Sequence, residues 1–205
     1  MLLNDRNHCK VVISILKRLN TFNITGISDL EENLGKEVLG IETRYTDDQL
    51  EELLDKGIKY AFVTLGSVGD PDNRIRLFEM VKQIGFEIPV IISKDAMVDE
   101  SVEIEDGTVI MPGAIINPGT EIGKNCIINT GAIIDHDCMI GDHVHIAPGV
   151  TLSGLVKVGS RSHIGTGASV IHGIEIGSRV IVGAGSVVVN AIQDNRKVIG
   201  LPAKG

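Results

Sequence analysis

Histidine followed directly by aspartate, at His136-Asp137, is the pairing in this chain best suited to proton transfer. An imidazole titrates near neutral pH, and an adjacent carboxylate can orient the ring and stabilise its protonated form. Such a pair can act as a general base toward an amine or a hydroxyl. On spacing alone it is an ordinary surface pair on a solvated corner, so its weight depends on its surroundings. Four more of the six histidines follow closely: His143, His145, His163 and His172. His136 and His172 are 36 residues apart with Gly154 midway, and His145 and His163 are 18 apart.

The elements that carry these residues follow from a register of six. From Val98 to Val188 every sixth residue is Val, Ile or Leu, sixteen consecutive hits, and a small or short branched residue such as Ala114, Cys126, Ala132 or Ser162 sits four places on. A period of six suits neither a helix nor a two-faced strand. It predicts a triangular solenoid with three short strands per coil, aliphatics inside, and small residues at the corners. Coils then stack at ~4.8 Å, one every 18 residues. His136, Gly154 and His172 fall on one edge, the two histidines roughly 9–10 Å apart, while His145 and His163 stack on adjacent coils.

Composition divides the chain in two. All six aromatics precede residue 87, which places a boundary near Ser93. Within residues 1–92, strand-like Met1–Leu3, Ile24–Ser28, Tyr60–Leu65 and Pro89–Ile92 alternate with helical patterns over Lys10–Leu19, Asp47–Leu54 and Arg74–Ile84. That alternation predicts a small parallel sheet of Rossmann-like type. Ligands of such sheets bind beyond the carboxyl ends of the strands, here Asn4–His8, Ser28-Asp29 and Gly66-Ser67. The three cysteines, Cys9, Cys126 and Cys138, read as buried thiols, which suits a reducing cytoplasm. A net charge of −8 argues against a nucleic-acid partner. No apolar run reaches the ~20 residues of a membrane span, and no basic-then-apolar signal pattern opens the chain.

The register resembles the hexapeptide-repeat acyltransferases. Several motifs narrow the resemblance to the NeuD/PglD-type sugar acetyltransferases: Asn7-His8-Cys9-Lys10-Val11-Val12, Ser28-Asp29, Val63-Thr64-Leu65-Gly66-Ser67 with Arg74, Ile134-Asp135-His136-Asp137-Cys138, His145-Ile146-Ala147-Pro148-Gly149 and Gly200-Leu201-Pro202-Ala203-Lys204. That family includes sialic acid O-acetyltransferases and nucleotide-amino-sugar N-acetyltransferases. The resemblance implies an α/β N-terminal Rossmann-like sugar-binding domain over residues 1–92. An all-β left-handed parallel β-helix that binds acetyl-CoA follows over residues 93–205. It also implies a homotrimer with acetyl-CoA in the groove between subunits. One departure stands out: Asn4, Asp5, Arg6 and Asn7 replace the usual glycine-rich turn, which narrows the approach of a phosphate.

By the same resemblance, His136 and Asp137 are the catalytic pair, and His145 lies at the acetyl-CoA thioester. The Gly154 amide is a candidate oxyanion donor. Gly165-Thr166-Gly167 and Gly183-Ala184-Gly185 form a smooth ledge for the pantetheine arm, lined at Thr166 and Ala184. Arg196, Lys197 and Lys204 form a basic tail suited to the CoA phosphates. His8, Ser28, Asp29, Gly66 and Ser67 face the sugar. Zinc, which carbonic anhydrases of the same fold bind, is not expected, because the position of their third ligand is Gly177. The chain therefore predicts a cytoplasmic acetyl-CoA-dependent acetyltransferase acting on the amine of a UDP-4-amino-sugar type acceptor in surface glycan biosynthesis. O-acetylation of a sialic acid and a non-catalytic trimeric scaffold are the alternatives. Ile133, Val144, Val180 and Val187 are expected on outward faces that neighbouring subunits cover.

Overall fold

A computed structural model describes residues 1–3 and 6–205, with Arg6 and Asn7 described for their backbone alone. Asn4 and Asp5, and the side chains of Arg6 and Asn7, which stand where a glycine-rich turn would bear on phosphate binding, lie outside the described residues.

The N-terminal unit contains strands β1 (Leu2–Leu3), β2 (Ile27–Ser28), β3 (Glu37–Val38), β4 (Ile41–Tyr45) and β5 (Phe62–Val63), in the order β3-β4-β2-β1-β5. All pair in parallel except β3 with β4. Helices α1 (Arg6–Leu19), α2 (Leu50–Asp55) and α3 (Asp72–Ile84) accompany the sheet. Helix α1 buries Cys9, Val12, Ile13, Ile15 and Leu16. Its last turn carries Lys17 and Arg18, which complement the helix dipole, and Asn20 closes it with a left-handed φ of 54°. The helix begins at Arg6 rather than Lys10, so His8 sits in its first turn. The hairpin β3–β4 has no counterpart in the predicted elements.

The predicted last strand of this sheet belongs elsewhere. Strand β6 (Ile91–Ile92) pairs in parallel with Val109–Ile110 and forms the first rung of the solenoid. Ile91 and Val109 nevertheless pack into the same core as Phe78 and Leu3, so the two units share one hydrophobic cluster.

From β6 onward the chain winds as a parallel β-helix with three sheets of six, five and seven strands. The first face contains Ile133–Ile134, the second Met139–Ile140 and the third His145–Ile146. Partners lie 18 residues apart, as in Ile116↔Ile134 and Ile134↔Leu152. The six-residue aliphatics from Ile110 onward line the core. At the corners the third residue after many of them has positive φ: glycine at Gly131, Gly149, Gly167 and Gly185, but Asp137, His143 and Leu155 elsewhere. Val144 and Val180 are fully buried at inner corner positions, which corrects their expected outward placement. Ile133 is exposed and Val187 half-buried. Cys9, Cys126 and Cys138 are free and buried. No helix among the described residues is long and apolar enough to cross a membrane.

Candidate active site

His136 and Asp137 occupy the edge between the first and second faces. His136 Nδ1 donates to Asp137 Oδ2 at 2.8 Å, and both side chains are about half exposed, at 49% and 57%. That bond, followed by the charges of Asp135 and Asp137, raises the imidazole pKa above its ordinary value. It also leaves Nε2 as the ring's acceptor. Asp135 is itself held low, mainly because Asn117 Nδ2 donates to it at 2.8 Å. Gly154, one coil on, lies directly beneath the ring: a Cβ there would stand 2.5 Å from His136 Nε2. The glycine is therefore buried by the imidazole rather than open to solvent, and its N–H has no hydrogen-bond partner among the described residues. With no side chain between them, His136 and His172 lean together, with ring centroids 6.1 Å apart.

His145 sits elsewhere, where the N-terminal unit meets the third face. Its Nδ1 donates to the Ser67 carbonyl at 2.6 Å, and Asn129 Nδ2 donates to Nε2 at 3.1 Å. Burial pushes its pKa down to about 3, so the ring is neutral. His163 packs edge-on at 4.9 Å, and His8 is near enough for its charge to bear on His145. Both ring nitrogens of His145 are thus taken, and a contact with a cofactor requires the Asn129 bond to exchange. Its evident work is to hang the Gly66-Ser67 turn on the β-helix.

Arg74 makes the second link between the units. Fully buried on α3, it donates to the carbonyls of Asn125 and His143, which lie on successive coils. Burial lowers its pKa to about 10, and burial likewise lowers that of His143 to about 4. Arg74 was legible in the sequence as part of a motif, but not as a clamp, because two carbonyls leave no side-chain signature. Asn129 and Asn117 carried no signal of their own.

The remaining candidates fall into three places. Thr166 and Ala184 are exposed on the edge between the third and first faces, beside Gly167 and Gly185, where an added Cβ would meet nothing within 4 Å. That smooth strip fits a pantetheine chain, and it is one face removed from His136 within a single chain. Arg196, Lys197 and Lys204 are exposed near the C-terminal end of the solenoid. Ser28 ends β2, and Asp29 after it leads into a cleft of about 570 Å³ that Asp29, Arg44 and Asp47 help to line. Ser28 is buried, and its hydroxyl donates inward to Asp47 at 2.7 Å, so it is not presented to a ligand as expected. Asp29 accepts from the Leu30 amide and Asn33. Among the described residues, no group of three or more His, Cys, Asp or Glu could hold a metal ion.

Comparison with known proteins follows the same division. The PglD N-terminal domain family matches residues 5–81. Bacterial transferase hexapeptide repeats match 101–136 and 119–154, and the hexapeptide repeat of succinyl-transferase matches 155–190. The chain is 37% identical to PerB from Caulobacter crescentus, solved in complex with CoA and GDP-perosamine, at a TM-score of 0.92 over 99% of this chain and 94% of that one. A histidine-to-asparagine mutant of perosamine N-acetyltransferase from the same organism, bound to the same two molecules, matches at 37% identity and a TM-score of 0.93 over the same shares. The acetyltransferase domain of PglB from Neisseria gonorrhoeae FA1090, in complex with acetyl coenzyme A, is 35% identical with a TM-score of 0.90, over 99% of this chain and 96% of that one. No curated protein sequence matches.

Proposed function

Because the chain belongs to the PglD-type hexapeptide-repeat sugar acetyltransferases, we propose that it transfers the acetyl group of acetyl-CoA to the amine of a nucleotide-linked amino-sugar. The observation that carries the reading is the His136 Nε2 acceptor, packed against Gly154 and backed by Asp137. The relatives solved with CoA and GDP-perosamine favour the N-acetyl form over O-acetylation.

The proposed chemistry is direct transfer. Nε2 of His136 takes the proton of the acceptor amine as its nitrogen attacks the thioester carbonyl. The carbonyl oxygen becomes an oxyanion, and the Gly154 N–H, which has no partner among the described residues, is a donor suited to it. Asp137 keeps the imidazole in the Nδ1–H tautomer and stabilises the imidazolium. The glycine-lined ledge at Thr166 and Ala184 takes the pantetheine arm, and Arg196, Lys197 and Lys204 face the phosphates. Gly66-Ser67, His8 and Asp29 surround the sugar nucleotide, where a carboxylate after the second strand accepts from ribose hydroxyls.

One chain does not complete this site. The ledge and the Ser67 turn flank the third face, whereas His136 lies across the first face on another edge. A homotrimer, with His136 of one subunit set against the ledge of the next, joins the two halves. The test is a CoA-release assay with UDP-, dTDP- and GDP-linked 4-amino-sugars and sialic acids as acceptors. Release with an amino-sugar alone is expected. Release with sialic acid and none of the amines would replace the N-acetyl reading by the O-acetyl one.

A further inference from the structure

The edge that carries His136 carries a second histidine for which the chemistry above has no use. His172 is exposed, on the coil two after His136, and its ring comes within 6.1 Å of the His136 ring at a tilt of 50° across side-chain-free Gly154. The two imidazoles therefore flank one small notch. Their levels along the solenoid differ in a way that matters. In the 18-residue register Gly154 shares a coil with Pro148 on the preceding edge, and His172 shares the next coil with Thr166, the start of the ledge. In the proposed site, with the acetyl carbonyl beside Gly154 and the pantetheine running toward Thr166 and Ala184 of the partner subunit, His172 is the titratable side chain one coil beyond Gly154 on the side where the thioester sulfur would leave.

We propose that His172 donates the proton that the departing CoA thiolate requires, so that one edge supplies a base at His136 and an acid at His172. This inference rests on the acetyl-transfer reading of His136. Attack forms the C–N bond, and the amine proton passes to His136 Nε2. Collapse of the tetrahedral intermediate breaks the C–S bond, the electron pair leaves on sulfur, and the His172 imidazolium protonates it to the free thiol. His136 then gives up the proton it gained and His172 regains the one it lost, by exchange with water that reaches both exposed rings. The net reaction is amine plus thioester to amide plus thiol.

The test varies the leaving group. The acetyl thioester of an aryl thiol expels a weakly basic thiolate that needs no acid, whereas acetyl-CoA expels an alkyl thiolate that does. With a nucleotide 4-amino-sugar as acceptor, His172→Gln is expected to lower kcat/KM with acetyl-CoA by roughly tenfold or more. The same variant should stay close to the parent with the aryl thioester. Equal losses with both thioesters, or no loss with either, would overturn the assignment. Failure of the underlying reading has a different signature: the parent protein itself would release no thiol with any amino-sugar, and this proposal would fall with it.

Discussion

His136 Nδ1 lies 2.8 Å from Asp137 Oδ2, although Asp137 holds a left-handed φ of 56° at a corner where this fold most often places glycine. Aspartate tolerates that conformation better than most residues. The corner thus turns the chain and directs the carboxylate back onto the preceding ring.

The first prediction follows from that bond. Because Asp137 raises the His136 pKa, and because a general base works when deprotonated, activity climbs as pH rises through that pKa. Asp137→Asn lowers the pKa, so the acid limb of kcat/KM moves to lower pH while turnover at neutral pH falls less than in a His136 deletion. A pH–rate profile checks this; an acid limb that stays put or moves upward contradicts it.

Gly154→Ala tests the packing beneath the ring. A methyl 2.5 Å from His136 Nε2 must displace the imidazole, since the backbone at Gly154 needs no positive φ and has no reason to move instead. Turnover should fall on the order of 10²-fold while the thermal midpoint holds within about 3 °C. Unchanged turnover would mean that the ring has another productive position.

Stability should depend on pH through the domain interface. His143 and His145 have folded pKa values of about 4 and about 3, so below the ordinary value near 6.5 the unfolded chain binds protons that the folded chain refuses. Their contribution is fully present above about pH 6.5 and is lost as pH falls toward those folded values, by at most ~1.4 kcal/mol per unit for His145 and by less for the more screened His143. Urea unfolding at about pH 7.5 and about pH 5.5 reads the slope, and His145→Asn should flatten it. A stability that is level across that range, or that rises on acidification, refutes the burial argument.

Much of this was legible in the sequence, for identifiable reasons. The aliphatic register places His136, Gly154 and His172 on one edge, because a solenoid maps sequence distance directly onto position. The left-handed corner column is also marked in the sequence, by glycines and by Asn125 and Asp137 at the third place after the aliphatics. Val144 and Val180 went to the wrong side because the residue four places after each aliphatic turns inward at the corner. The expected 9–10 Å between His136 and His172 assumed rigid rungs, whereas rings flanking a glycine lean into the gap. Strand β6 was assigned to the wrong sheet because an apolar pair carries no record of its partner. The Ser67–His145 bond joins a loop to a face 78 residues away, and no local pattern encodes that.

Assembly offers a separate check. The ledge at Thr166 and His136 lie on different edges of one chain, so the proposed site needs neighbouring copies. Light scattering at micromolar concentration should give about three times the 21.9 kDa chain mass. A mass near one chain in a fully active sample would break the shared-site arrangement.

The central claim is that His136 is the base of an acetyl transfer to an amino-sugar. Its most direct measurement is turnover of the parent and His136→Ala at saturating acetyl-CoA and amino-sugar, with the N-acetylated product identified by mass spectrometry. The account predicts product from the parent, a loss of ~10²–10⁴ in kcat for the variant, and acetyl-CoA binding that survives in calorimetry. Near-parent turnover by His136→Ala would contradict it.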